Sequence, residues 1–437
     1  MIRAAVADSL AAQLAPDDCF IVALSGGRDS VVLLDALVAT QDPRMRGAAH
    51  VHHGISPNAD AWAAFCEQIC RGRDVPLRVH RVAVPRAPQS SLESEARHVR
   101  YAALVQAARA CDATVVALAH HRDDQAETLL LQLLRGAGPR GLAAMPKIRG
   151  DARGVRWWRP LLDVSRADID AYATEHGLAW VDDESNASVH HARNAIRHTV
   201  MPALAAVSGN PAATLARAAA HQAESARLAD DLAAIDSREA FDGSTLSQVA
   251  LYRMAGHRAR NLLRWFLHAR GLPAPSSARL AAMLDQLRAS RGDAMTRFAH
   301  AGMEVGVYRG RIYVHACPPA PYDVPWDGAC DVDLPHGVLR IAHAEGQGID
   351  ALRIRHAAFH VRSRGGGERF QVAANRPRRA LKSILQDAGI PPWQREALPL
   401  VVCGDEVVAV PGIGVDASWQ APEGARGIVL TWMPRAR

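Results

Sequence analysis

Through its first half the chain alternates short apolar runs with longer stretches whose apolar residues recur at helical spacing. Residues 19–24, 48–53, 77–84 and 114–119 read as strands, and 31–38, 58–71, 93–110 and 124–135 as helices. Strand and helix in strict alternation predict an α/β fold, a parallel sheet covered on both faces. Ligands in such sheets bind beyond the carboxyl ends of the strands. The turn after residue 24 and the pair His120-His121 after residue 119 are therefore expected to meet in one crevice.

Past Pro202 and Pro211 the pattern changes. An alanine-rich helix is expected over 212–234, two more over 253–270 and 277–290, then a hairpin of 304–308 and 311–315 around Arg309-Gly310. Cys317-Pro318-Pro319-Ala320-Pro321 is the clearest connecting segment. Short strands with glycine turns follow, with one helix over 378–387. The expected organisation is an α/β domain at 1–210, a mainly helical middle domain at 211–316, a linker at 317–350 and a small α+β domain at 351–437. A chain of 437 residues is long enough for about three domains.

The turn after the first strand reads Ser25-Gly26-Gly27-Arg28-Asp29-Ser30 and runs straight into the helix. A helix N-terminus presents unpaired N–H groups and partial positive charge, and glycines let a phosphate come against the backbone. No G-x-x-x-x-G-K-[ST] and no G-x-G-x-x-G is present, so this turn differs from the P-loop and the dinucleotide fingerprint.

Composition narrows the setting. No stretch has the length and purity of a membrane-spanning helix, and residues 1–14 lack a signal-peptide layout, which predicts a soluble cytoplasmic protein with no membrane partner. Seven scattered cysteines with no C-x-x-C predict buried free thiols rather than a metal or redox set. The net charge is +6, and Lys147 and Lys382 are the only lysines. That balance favours a polyanionic partner, and arginine suits bidentate phosphate contacts.

The second cluster, His121-Arg122-Asp123-Asp124-Gln125-Ala126-Glu127-Thr128, opens a helix. Asp124 and Glu127 share a face, and acids in a first turn complement the helix dipole. Helix capping accounts for one acid, with Glu127 closing a capping box. Three acids beside a phosphate cradle also suit magnesium or an incoming ammonium group.

These residues carry a family resemblance. Ser25 to Ser30 resembles the PP-loop of the N-type ATP pyrophosphatases. The H-x-D-D-x-x-E-T stretch is similar to their tRNA(Ile)-lysidine synthetase branch, as are His50-Val51-His52-His53-Gly54, Glu93 with Ala96-Arg97, Arg159-Pro160-Leu161-Leu162, Asp183 with Ser185-Asn186, and Arg193-Asn194-Ala195-Ile196-Arg197. Near the end, Gly366-Gly367-Glu368-Arg369, Leu381-Lys382 and residues 388–393 resemble that family's C-terminal module.

The resemblance implies a Rossmann-like PP-loop domain that cuts ATP to AMP and pyrophosphate. The ATP-binding residues would be Ser25, Gly26, Gly27, Arg28, Asp29, Ser30 and His52. Asp29, Asp123, Asp124 and Glu127 would be catalytic, with Asp29 and Asp124 on Mg2+. His121, Arg193, Asn194, Arg197, Arg376, Arg378, Arg379 and Lys382 would meet substrate or tRNA, the last four beside Trp393 contacting RNA backbone. The implied reaction joins free L-lysine to carbon 2 of the wobble cytidine of the CAU anticodon of tRNA(Ile), through an adenylated cytidine. A homodimer through the alanine-rich helix is also plausible. Two rivals are a tRNA thiolase, which would use paired cysteines, and an ATP-binding regulator without chemistry, which would not need three acids.

Overall fold

The computed structural model describes residues 1–85, 92–151, 154–182, 192–290, 296–354 and 357–435. It divides into two compact units, Met1–Ala229 and Asp230–Arg437. The division falls inside one helix, Pro211–Ala240.

In the first unit, helix α1 (Ile2–Gln13) precedes β1 (Phe20–Ala23), α2 (Arg28–Val38), β2 (Met45–His52), α3 (Ala59–Arg71), β3 (Leu77–Arg81), α4 (Leu92–Arg109) and β4 (Val115–Ala117). Then come α5 (Arg122–Leu134), α6 (Pro139–Leu142), β5 (Ile148–Gly150), β6 (Arg156–Trp158), α7 (Arg166–Glu175) and α8 (Ala192–Ala195), which runs into a π-helical turn, Ile196–Val200. The sheet order is β3-β2-β1-β4-β6-β5. All pairs are parallel except β5 with β6, an antiparallel edge that the apolar pattern did not announce.

Side chains alternate across this sheet as a pleated strand requires. Phe20, Val22, Val115, Ala117 and Trp158 pack on one face with α1, α2 and α7. Ile21, Val116 and Trp157 pack on the other with Leu104 and Val105 of α4. Trp158 is fully buried, stands edge-on to Phe20 at 5.6 Å, and its indole N–H donates to Ser9 at 3.0 Å. From β1 the chain winds outward in both directions, to β2 and to β4. Such a switch in strand order opens a crevice at the carboxyl ends, here between the Ser25 turn and His120.

The second unit has a middle part in which helices Gln248–Arg253, Gly256–Ala269 and Ser277–Ala289 pack on a four-stranded sheet. The expected hairpin is the centre of that sheet, Met303–Tyr308 against Arg311–Ala316. The C-terminal part contains a five-stranded and a four-stranded sheet around one core.

Residues 317–350 are more than a linker. They contribute strands Asp323–Trp326, Val332–Leu334, Gly337–Glu345 and Ile349–Asp350. Val332 and Leu334 are buried while Asp333 between them is exposed, the alternation of a half-buried strand. Gly337 sits where a Cβ would lie 2.4 Å from the Trp432 ring. The helix expected over 378–387 starts later, at Leu381, because Arg379–Ala380 pairs as a short strand with Arg369–Phe370.

Trp393 joins the two parts of this unit. It is buried, stacks on His315 of the middle sheet at 4.1 Å and 6°, and lies 5.0 Å from the Tyr313 ring. Gly306 leaves it room, since a Cβ there would come within 2.9 Å of the indole. Arg297 adds a bidentate pair to Glu396 at 2.8 and 2.7 Å. Trp393 is thus a packing anchor rather than a platform for RNA. Replacing a buried tryptophan by alanine typically costs about 3–5 kcal/mol. A Trp393→Ala variant should lower the second unit's unfolding free energy in a denaturant titration by that amount, and an unchanged value would count against the anchor.

Candidate functional site

The Ser25 turn is built to hold its shape without a ligand. Gly26 has φ +90, and a Cβ there would sit 2.9 Å from Val181 and 3.2 Å from Cys66. The Ser30 hydroxyl donates to the Gly27 carbonyl at 2.8 Å and accepts from the Ser25 N–H at 3.2 Å, while the two serine hydroxyls lie 3.1 Å apart. Gly27 caps α2 with no side-chain hydrogen bond, which leaves the helix entrance to a ligand. Beneath the turn, the His50 ring donates through Nδ1 to the Leu24 carbonyl at 2.9 Å, and Cys66 lies 3.4 Å from the same nitrogen.

Across the crevice, His121 is fully buried at the start of α5. Its Nε2 lies 3.6 Å from Asp29 and 3.5 Å from Asp124, and its Nδ1 lies 3.6 Å from Asp123. The Asp124 carboxylate also accepts from the His121 N–H at 3.1 Å. Asp124 thus closes back on the His121 N–H at the helix entrance, and Glu127 takes no part in the cap.

Burial alone would discharge the His121 ring, but the carboxylates of Asp123, Asp29 and Asp124 around it prevail, raising its pKa to about 9. In that charged form Nδ1 points its proton at Asp123 instead of accepting from the backbone. Burial likewise opposes the Asp29 carboxylate, yet His121, Arg28 and Arg166 hold it down at about 2. Asp124 is lowered against its burial by the charges of His121 and Arg193. His120 shifts the other way, kept neutral by burial and by Arg159, Arg193 and Arg97.

Glu127 is 2% exposed and does not line this crevice. Arg197 grips it with Nε at 2.6 Å and Nη2 at 2.9 Å, and reaches Asp124 at 3.2 Å. Arg193 adds a contact to Glu127 at 3.3 Å and donates to Thr128 at 2.7 Å. Arg193 and Arg197, expected to meet substrate or tRNA, pair with acids of α5, and Arg197 also lines the cleft. Asn194 between them is buried as well.

The crevice is a cleft of about 530 Å³ whose walls include Ser25, Gly27, Arg28, Asp29, Ser30, His52, His120, Asp124, Arg166 and Arg197. It unites the two sequence clusters. Arg28 lines the cleft and pairs with Asp29 and with Asp170 of α7. His52 lines the cleft and contacts Asp60 at 3.2 Å. Asp123 is tied to the Arg166 backbone N–H at 2.9 Å. Asp183, Ser185 and Asn186 lie outside the described residues, as does the side chain of Glu93.

The basic cluster near the end is thinner than its sequence suggests. Arg378 is held by the fully buried Asp416 at 2.9 Å, and Arg379 by Asp387 at 2.8 Å. Arg376 and Lys382 are exposed. Two residues that matter at the cleft escaped the sequence reading, Arg166 and Asp170, and His50 was named only as part of a motif, without its supporting role. The serine of Ser165-Arg166-Ala167-Asp168, a helix-entry pattern, was the one signal for the first.

Burial pushes the Cys66 thiol up to about 12 and the Cys70 thiol to about 11, so neither is a thiolate nucleophile. Among the described residues no group of three or more His, Cys, Asp or Glu side chains is arranged to hold a metal.

The sheet order, the glycine turn and its acidic partner helix define a PP-loop ATP-binding domain, and residues 3–204 match the family model described as a PP-loop domain. Residues 246–313 match the TilS substrate binding domain and 359–432 the TilS substrate C-terminal domain. A tRNA(Ile)-lysidine synthase of Nitrosomonas europaea is 42% identical, with 98% of this chain and 94% of that protein covered. One of Ralstonia nicotianae is 43% identical, with 94% and 92% covered. A U34-tRNA thiolase structure from Methanococcus maripaludis shares 16% identity over 51% of this chain and 78% of its own, with a TM-score of 0.44. The chain belongs to the tRNA(Ile)-lysidine synthase family.

The buried charge cluster should show in stability. A histidine whose folded pKa is raised contributes below its ordinary value of 6.5 and loses that contribution as pH climbs through about 9. Protein without added metal should therefore melt at falling temperature between pH 6.5 and 9, and a His121→Gln variant should show a flatter profile. Parallel profiles for the two would contradict a charged His121.

Proposed function

We propose that the protein is an ATP-dependent ligase that joins free L-lysine to carbon 2 of the wobble cytidine of tRNA(Ile). The observation that carries this reading is the convergence of the Ser25 turn and the α5 acids on one cleft, in a chain that its relatives match end to end.

The residues divide into those that face the cleft and those that hold them. Gly26, Gly27, Ser25 and Ser30 cradle the phosphates of ATP at the α2 entrance. Asp29 and Asp124 line the cleft. His121 Nε2 lies within 3.6 Å of both and holds them side by side. Two neighbouring carboxylates on a cleft wall suit magnesium, which takes few protein ligands and fills the rest with phosphate and water oxygens. Bound there, the ion would neutralise phosphate charge. Asp123 and Glu127 do not line the cleft, and both are committed to neighbours. They act as positioning residues, a narrower role than their place in the motif suggested.

In the first step the carbonyl oxygen at carbon 2 of cytosine attacks the α-phosphorus, and pyrophosphate departs. In the second the lysine ε-amine attacks carbon 2, and AMP departs with the oxygen. The cleft contributes alignment and charge stabilisation, the main terms in phosphoryl transfer. The acidic wall of Asp29 and Asp124 attracts the lysine ammonium. The cytidine must leave its stack to enter, as target bases do in other base-modifying enzymes. In the second unit, exposed Arg376 and Lys382 would meet tRNA phosphates.

Incubation with ATP, labelled lysine and unmodified tRNA(Ile) should place lysine at the anticodon and release AMP. Asp29→Asn should reduce the rate by on the order of a hundredfold or more. Dependence on a sulfur donor, ATP binding without AMP release, or full activity of Asp29→Asn would overturn the reading.

A further inference from the structure

The arginines of the cleft are engaged, with one exception. Arg28 pairs with Asp29 and Asp170, Arg197 with Glu127 and Asp124, and Arg97 donates to the Tyr101 hydroxyl at 3.2 Å. Arg166 also lines the cleft. Among the described residues its guanidinium makes no hydrogen bond or ion pair, and its Nε is sealed from water without an acceptor. A buried donor left unmet carries a desolvation penalty, so the surroundings of Arg166 are complete only when an acceptor arrives.

The backbone beneath this side chain is firmly placed. Ser165 caps α7 in a box with Asp168, the Arg122 N–H donates to Val164 at 2.9 Å, and Asp123 accepts the Arg166 N–H at 2.9 Å. Tyr172 ties α7 to Asp35 of α2 at 2.9 Å. The charge of Arg166 is felt at Asp29 and at Asp123, lowering both carboxyls. Arg166 therefore lines the same cleft as the phosphate cradle, within electrostatic reach of Asp29 and Asp123.

We propose that Arg166 is a catalytic residue that binds the departing pyrophosphate, and that Asp123 is its positioning residue. This rests on the ATP-dependent reaction given above. When the bond between the α-phosphorus and its bridging oxygen breaks, the electron pair passes to pyrophosphate. The new charge on that oxygen is what a planar guanidinium, with two parallel donors, stabilises best. The same arrangement explains why an acid of the α5 motif is spent on a backbone N–H of another helix.

The test uses full-length wild type, Arg166→Ala and Arg166→Lys, with lysidine formation, inhibition by added pyrophosphate and thermal melting measured for each. Arg166→Ala should lose on the order of a hundredfold in kcat. KM for lysine and tRNA should stay within about twofold, and inhibition by pyrophosphate should weaken about tenfold, since one charged contact is lost. Low-millimolar guanidinium should restore part of the Arg166→Ala rate, and Arg166→Lys should keep an intermediate rate. An unchanged kcat, a defect confined to KM for tRNA, or a loss matched by a lowered melting temperature with no guanidinium rescue would overturn the proposal. Wild type that forms neither AMP nor lysidine would instead strike the underlying reaction.

Discussion

Asp29, Asp123, Asp124 and Glu127 crowd the entrance of α5, and the first unit holds together there only because each has a cation within reach. His121 serves the first three, and Arg197 with Arg193 serves the last two. Removing one partner of such a cluster leaves an uncompensated buried charge, which costs far more than the pair contributes. That constraint sets the roles. Asp123 and Glu127, which do not line the cleft, fix geometry, while Asp29 and Asp124 line it where a ligand enters.

The sheet creates this meeting. Because β1 lies between β2 and β4, the turns that follow β1 and β4 open onto the same crevice. The parallel register of Phe20 with Val115 and Val22 with Ala117 brings Ser25 and His120 level. α7 then closes the far side through Asp170 and Arg166. Phosphate cradle, acids and the uncommitted arginine thus come from three separate segments, and none of them forms a site alone.

Much of this was legible in the chain. The glycine turn, four of the five parallel strands and the acidic helix entrance all follow from local pattern, because apolar runs and special backbone conformations are written locally. Pairings across the fold were not. Arg193 and Arg197 look like a basic face until Glu127 is found beneath them, and Arg378 looks free until Asp416, distant in sequence, is found to be buried against it. Trp393 reads as an exposed aromatic beside arginines, but Gly306 leaves a slot that only the folded sheet reveals. Strand β5 is three residues of mixed polarity, too short to carry a period. The strands of 317–350 were hidden by the prolines that precede them.

The central claim is that the cleft activates the cytidine oxygen rather than lysine. The direct measurement is to place oxygen-18 at carbon 2 of the wobble cytidine, run one turnover with ATP and lysine, and weigh the AMP. The account predicts one heavy oxygen in the AMP phosphate. Heavy oxygen that stays in the tRNA or appears only in water would contradict it.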